Sequence, residues 1–134
     1  MTDDELIAAA AAVLNPVQRP DGRLFGDVGA ALVSTDGAIF TGVCVDTFSW
    51  GLCAERSAIA AMVTAGAYRV ERIVAVWRDP ATGRLHVLPP CGHCRQFMRE
   101  VDEANLDTRV ILGRRESLAL RDLLPRHEWP APLD

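Results

Sequence analysis

The order of apolar and polar residues along the chain predicts a helix followed by a β-hairpin at the N-terminal end. Thr2-Asp3-Asp4-Glu5 has the spacing of a capping box, and the alanine-rich run behind it predicts a helix to about Leu14, where Asn15-Pro16 stops it. Apolar runs at Asp27 to Ser34 and Ala38 to Val45 flank Thr35-Asp36-Gly37. A D-G pair between two such runs is typical of a hairpin turn.

The rest of the chain alternates between helical and extended patterns. We expect helices at Cys53 to Ala65, Cys91 to about Ala104 and Glu116 to Leu124, and strands at Arg72 to Trp77, Arg84 to Leu88 and Arg109 to Leu112. This order predicts a three-layer α/β/α fold around a mixed five-stranded sheet. No repeat, linker or change of composition divides the chain, so residues 1–134 are expected to form a single domain.

Composition and charge narrow the classes of function. The chain is 49% hydrophobic, which is enough for one core, and its formal net charge is −4 with a pI near 5.3. The N-terminus lacks the basic start of a signal peptide, and no apolar stretch is long enough to span a membrane, so we expect a soluble, cytoplasmic protein. The acidic balance and the low aromatic content, 6%, argue against a nucleic-acid partner and favour a small molecule.

Three of the four cysteines fall at predicted helix starts. In a reducing cytosol, metal binding or catalysis is a better expectation for them than structural disulfides. Cys91 and Cys94 lie at positions i and i+3 of one helix, where side chains are about 5–6 Å apart and can share a zinc ion, and Cys53 can supply a third ligand. Three protein ligands leave a position for water, which favours a catalytic zinc site over a structural one. A redox C-x-x-C pair is the alternative, but it does not explain the residues after Cys53.

Those residues, Ala54 and Glu55, put a carboxylate two positions from the proposed ligand, where it can serve as a base. Cys53-Ala54-Glu55-Arg56, followed by Pro90-Cys91-Gly92-His93-Cys94-Arg95-Gln96, resembles the motifs C-A-E-R and P-C-G-x-C-R-Q of the zinc-dependent cytidine deaminase family. Val28-Gly29-Ala30-Ala31-Leu32 and Leu123-Leu124-Pro125 are similar to further stretches of that family. The resemblance therefore extends over most of the chain.

The resemblance implies one zinc per chain and hydrolytic deamination at C4 of a cytosine ring, with cytidine or deoxycytidine as substrate. It implies Cys53, Cys91 and Cys94 as metal ligands, Glu55 as the catalytic proton carrier, and Arg56 as a compensating charge beside the thiolates. It also implies a homotetramer or a dimer with sites near subunit interfaces. The substrate-binding positions expected on this basis are Phe25, Cys44, Asp46, Ala54, Pro89 and Trp129.

The sequence departs from the family pattern where the sugar is held. Many members have an N-x-E stretch at the end of the second strand, and Cys44-Val45-Asp46 stands in its place here. Phe25-Gly26-Asp27-Val28 has one residue more than the family's F-x-V. The segment from Gly42 to Cys53 is closer in length to that of blasticidin S deaminase. An aminonucleoside of that kind, or another small amino-heterocycle, is therefore the alternative substrate, and a purely structural zinc site is the non-enzymatic alternative.

Overall fold

The structure is a computed structural model that describes residues 1–134. Four helices lie at α1 (Asp3–Ala12), α2 (Ala54–Thr64), α3 (Gly92–Val101) and α4 (Leu120–Leu123), with a 3-10 helix at Glu103–Asp107. The strands are β1 (Val17–Gln18), β2 (Leu24–Phe25), β3 (Val28–Ser34), β4 (Ile39–Val43), β5 (Val70–Arg78), β6 (Leu85–Leu88), β7 (Arg109–Gly113) and β8 (Glu116–Ala119). None of the helices combines the length and apolar character needed to cross a membrane.

The main sheet has six strands, and β1 and β2 form a separate two-stranded sheet. The strand order is β4-β3-β5-β7-β8, with β6 paired to β5 beside β7. Strand β7 runs parallel to β5 at Arg72 and Ile73, whereas β6 pairs antiparallel with β5 from Ala75 to Arg78. Strands β6 and β7 therefore occupy successive stretches of one edge of β5, so the sheet is mixed as expected.

Helices cover both faces of this sheet, which confirms the expected three layers. Helix α1 packs its Leu6, Ile7 and Ala10 against inward residues of β3, β5 and β7 on one face. Helices α2 and α3 pack on the other face, where Ile59, Met62 and Met98 belong to a second buried cluster. Alternate residues of β3 and β5 serve the two clusters because successive strand side chains point to opposite faces.

The capping box predicted at the start of α1 is confirmed. The Thr2 hydroxyl accepts a hydrogen bond from the Glu5 N–H at 3.1 Å, and the Glu5 carboxylate accepts one from the Thr2 N–H at 2.7 Å. The hairpin at Asp36-Gly37 is confirmed as well, since β3 and β4 pair antiparallel around it. Both features depend on residues only a few positions apart.

Two predicted helices are shorter in the structure. Helix α3 ends at Val101 because Asp102 is extended and its side chain accepts a hydrogen bond from the Ala104 N–H, which starts the 3-10 helix. The prediction of one helix from Glu116 to Leu124 is wrong: Glu116–Ala119 is strand β8, and only Leu120–Leu123 is helical. The two-residue connection after β7 returns the chain along its open edge, and the sheet hydrogen bonds outweigh the local helical pattern. This is why the sheet has six strands and not five.

Candidate active site

The three cysteines predicted as metal ligands meet where α2 and α3 begin. Cys53 is the N-cap residue of α2, Cys91 is the N-cap residue of α3, and Cys94 lies in the first turn of α3. Strand β6 and the two prolines after it bring Cys91 to the start of α2, because β6 pairs with the central strand β5.

The separations of the three sulfurs fit a zinc ion. All three lie within 4.8 Å of one another, with Cys53 Sγ 3.6 Å from Cys91 Sγ and Cys91 Sγ 3.5 Å from Cys94 Sγ. Two tetrahedral ligands with Zn–S bonds of about 2.3 Å lie about 3.8 Å apart. The fourth cysteine, Cys44, is outside this cluster. The donor set therefore fits one zinc held by three thiolates, with one position left open.

The electrostatic surroundings of the thiols differ. Burial opposes ionisation of Cys91, but hydrogen bonds from the Cys94 N–H, the neighbouring thiols and the His93 N–H outweigh it and lower the pKa of Cys91. Cys94 is fully buried, and this burial, followed by the nearby charge of Glu55, raises the pKa of its thiol. A bound cation offsets these costs because metal binding favours the deprotonated thiol.

Glu55 lies in the first turn of α2 and is only 6% exposed. Burial raises the pKa of its carboxyl, although its own backbone N–H and the charge of Arg56 act in the opposite direction. The side chain lines a pocket of about 180 Å³ together with Cys53, Cys91 and Ala54. The carboxyl group of Glu55 and two of the candidate metal ligands thus face the same small space.

Two arginines lie beside the three cysteines. The Arg56 guanidinium lies 3.6 Å from Cys53 Sγ, and its role as a compensating charge stays a prediction. Arg95 donates from Nε to the Pro90 carbonyl at 2.9 Å and from Nη1 to the Leu123 carbonyl at 3.0 Å. Arg95 therefore joins the loop before Cys91 to the end of α4. Its position in the C-R-Q motif was visible in the sequence, but its partner near the C-terminus was not.

A wider groove of about 360 Å³ adjoins the pocket. The two share Cys44 and Cys53, so a ligand that occupies the pocket can extend into the groove. Asp27, Asp46 and Trp50 line the groove. We did not predict Asp27 as a site residue; the extra residue in Phe25-Gly26-Asp27-Val28 was the only sequence signal for it.

The expected substrate-binding residues are distributed unevenly. Cys44, Ala54 and Pro89 line the pocket, and Asp46 lines the adjoining groove. Phe25 faces a different cavity, which reaches the pocket only through Cys44. Trp129 is 89% exposed and lines none of these spaces, so its role stays a prediction that requires a second subunit.

A three-layer α/β/α domain with three thiols and a buried carboxylate at two helix N-termini defines a class of zinc-dependent hydrolytic deaminase. The family model described as "Cytidine and deoxycytidylate deaminase zinc-binding region" matches residues 2–109. This chain belongs to that family.

Individual relatives agree with this assignment. The cytidine deaminase of Halalkalibacterium halodurans is 36% identical over 104 residues, which cover 73% of this chain and 74% of that protein. A probable cytidine deaminase of Dictyostelium discoideum is 43% identical over 72 residues, 52% of this chain and 46% of that protein. The crystal structure of cytidine deaminase from Burkholderia pseudomallei matches with a TM-score of 0.74 and 33% identity, covering 94% of this chain and 98% of that one.

Proposed function

We propose that this chain hydrolyses the exocyclic amino group of a cytosine nucleoside, cytidine or deoxycytidine, to give the uracil nucleoside and ammonia. The observation that carries the proposal is the placement of Glu55, which is buried in one pocket with two of the three candidate zinc ligands. A purely structural zinc site has no use for such a carboxyl group, because burial without a partner costs free energy. Family membership supports the same chemistry.

The residues of the chain account for the proton transfers. Cys53, Cys91 and Cys94 would hold the zinc ion, which when bound supplies the Lewis acidity that makes water a nucleophile at neutral pH. Glu55 takes one proton from the attacking water and delivers it to ring N3. It then carries the second water proton to the amino group, which leaves as ammonia while C4 becomes a carbonyl carbon. The raised pKa of Glu55 suits a group that both accepts and donates protons.

The lining of the pocket supports the proposed binding of a pyrimidine ring. Val28 and Leu88 give it apolar walls, and Ala54 at the start of α2 leaves room between them. Pro89 has no N–H but keeps its carbonyl oxygen, so it can accept a hydrogen bond from the amino group of the substrate. Ring binding thus needs few polar contacts beyond Glu55 and this backbone acceptor.

The test is ammonia release by purified, zinc-quantified protein offered cytidine, deoxycytidine, cytosine, blasticidin S and adenosine. We expect turnover of the two cytosine nucleosides, and a 10²- to 10⁴-fold fall in kcat for Glu55→Gln, which removes the proton carrier but keeps the side-chain size. Zinc should stay near one per chain in the variant. Turnover of blasticidin S alone would replace the proposed substrate by an aminonucleoside, and undiminished activity of Glu55→Gln would refute the mechanism.

We further propose a homo-oligomer, a tetramer or a dimer, that acts in pyrimidine salvage in the cytoplasm. Support for assembly comes from the exposure of Phe48, Trp50 and Trp129, which are 81%, 85% and 89% exposed. Aromatic side chains in solvent are typical of surfaces that a partner covers. Light scattering coupled to size-exclusion chromatography should give a mass that is a multiple of 14.6 kDa, and a monomer at micromolar concentration would contradict this proposal.

A further inference from the structure

The segment that joins strand β6 to helix α3 carries a metal ligand but has few means of being held in place. Strand β6 pairs with β5 as far as Leu88, and α3 begins after its N-cap residue, Cys91. Between them lie Pro89 and Pro90, which have no N–H to donate. Hydrogen bonds can therefore fix this segment only through its carbonyl oxygens, and the position of Cys91 depends on them.

Arg95 supplies such a bond. Its Nε donates to the Pro90 carbonyl at 2.9 Å, and no backbone N–H bonds that oxygen. Arg95 follows Cys94 in the first part of α3, so the bond joins the helix to the peptide group that precedes its own N-cap, Cys91. The ring of Pro90 fixes φ, and the bond from Arg95 fixes the direction of the carbonyl group and with it ψ. Arg95 thus holds the peptide group that leads into Cys91.

The guanidinium of Arg95 is itself fixed by a second bond. Its Nη1 donates to the Leu123 carbonyl at 3.0 Å, at the end of α4. Two bonds from one planar group leave it little freedom to turn, because the donors of a guanidinium point in fixed directions. No hydrogen bond joins Arg95 to a cysteine sulfur, whereas Arg56 lies 3.6 Å from Cys53 Sγ. Arg95 therefore acts on the backbone before the ligand and not on the ligand itself.

The same backbone also lies beside Glu55. Pro90 is buried, and together with Glu55 it lines a narrow space bounded mostly by apolar side chains of β5 and β7. Pro89 lines the pocket that Glu55 faces. A rotation of the Pro90 carbonyl group would therefore shift Cys91 and Pro89 relative to each other and to the Glu55 carboxyl group.

We propose that Arg95 is a positioning residue of the zinc site, because its bond to the Pro90 carbonyl fixes the path by which Cys91 reaches the metal. The same bond keeps the wall of the pocket in place against Glu55. Groups that orient metal ligands commonly contribute about 10- to 100-fold to metal affinity or activity. The inference rests on the zinc site, and its kinetic part rests also on the function proposed above.

The experiment compares Arg95→Met and Arg95→Lys with Arg99→Met and Arg99→Lys in the full-length protein. Arg99 lies one turn further along α3, and its charged partner is the exposed Glu103, at 3.9 Å. The controls therefore remove an arginine from the same helix without affecting the segment before Cys91. Three properties are measured: the rate at which a chelator removes zinc, the visible absorption spectrum of the cobalt(II)-substituted protein, and kcat and KM for cytidine.

We expect Arg95→Met to release zinc about 10- to 100-fold faster than the unmodified protein and to change the cobalt absorption bands, which report the geometry of the ligands. Its kcat should fall by about 10- to 100-fold with a smaller change in KM, because misplaced groups slow the reaction more than they weaken binding. Arg95→Lys should recover at most part of each loss, since one ammonium group does not replace a planar fork between two carbonyls. Both Arg99 variants should match the unmodified protein.

A merely structural role predicts a lower thermal midpoint for the Arg95 variants, with zinc release and the cobalt spectrum unchanged at a temperature where they are folded. That result overturns the inference, and so does full recovery in Arg95→Lys, because the charge alone would then suffice. If Arg95→Met does not fold, Arg95→Lys decides: zinc release faster than in Arg99→Lys upholds the inference, and equal release refutes it. If the unmodified protein does not turn over cytidine, the proposed function fails, and zinc release and the cobalt spectrum still decide this inference.

Discussion

Gly42 is the point where strand β4 contacts helix α2, and an added methyl group there tests how tightly the active site depends on that contact. A Cβ at Gly42 would lie 2.6 Å from the Ala58 nitrogen and 2.6 Å from Ser57 Oγ. Nonbonded carbon contacts are most favourable at about 3.5 Å or more, so β4 and α2 must separate by roughly 0.9 Å. The Ala58 nitrogen is backbone, and no side-chain rotation relieves that contact.

The separation disturbs the pocket whichever element moves. Helix α2 carries Cys53 and Glu55 at its start, and Cys44 follows directly after β4, and all three line the pocket. Misplacement of reacting groups by about 1 Å lowers rates by about 100-fold, and overpacking costs about 1–3 kcal/mol of stability. We therefore expect Gly42→Ala to lose both activity and thermal stability. Weaker zinc binding as well would show that α2 moves relative to α3.

The matched control is Gly113→Ala. A Cβ at Gly113 would lie 3.7 Å from the Glu116 side chain, which is an ordinary contact, and replacing a strand glycine by alanine without strain stabilises a protein by about 0.4–1 kcal/mol. The same glycine-to-alanine change is thus expected to lower thermal stability at position 42 and to raise it at position 113. The assays are kcat/KM for cytidine, the thermal midpoint, and competition with a zinc chelator. If Gly42→Ala behaves like Gly113→Ala in all three, the reasoning from this contact is refuted.

Three further predictions concern the metal site and α1. Arg56→Gln should lower kcat by about 10- to 100-fold while zinc stays bound, because the thiolate charge is no longer offset; unchanged kcat would remove Arg56 from this role. Removal of zinc by a chelator should lower the thermal midpoint, because a bound metal stabilises the folded state. The thermal midpoint of Cys44→Ala should fall in the same way, since Cys44 lies outside the metal cluster; a midpoint that no longer responds to the chelator would mark Cys44 as a ligand. Thr2→Ala should cost about 1 kcal/mol without loss of activity. The hydrogen bond from the Thr2 N–H lowers the pKa of Glu5, so its contribution to stability is present above the unfolded-state pKa of Glu5 and is lost as the pH falls through the lowered pKa. Glu5→Gln should therefore lose less stability on acidification than the unmodified protein.

The parts of the fold that the sequence predicted well depend on neighbours in the chain. The Thr2 and Glu5 bonds span three residues, and the turn at Asp36-Gly37 is set by its own backbone. Cys91 is the N-cap and Cys94 lies in the first turn of the same helix, so the local geometry of this helix start places their sulfurs together. Strand β8 was missed because its local pattern fits a helix equally well, and only pairing with β7 decides between them.

The position of the third ligand could be predicted only through the motif and the expected fold. Cys53 and Cys91 are separated by 38 residues, and their 3.6 Å contact depends on how β5 and β6 bring α3 beside α2. The Arg95 bond to the Leu123 carbonyl spans 28 residues and had no signal in either segment. Such contacts depend on the relative placement of whole elements, which single residues do not encode.

The sequence by itself determined the chemistry of this protein, because zinc binding and proton transfer require particular residue types at short spacings: Cys53 with Glu55, and Cys91 with Cys94. The tertiary structure decided what surrounds that chemistry. Asp27 and Cys44 are 17 residues apart, and the Cys44 thiol reaches the Asp27 carboxylate only because the Cys44 backbone pairs with Gly26 and Val28 on either side of Asp27. Functional groups are fixed by residue identity, whereas the shape and charge of the groove depend on the packing of distant segments.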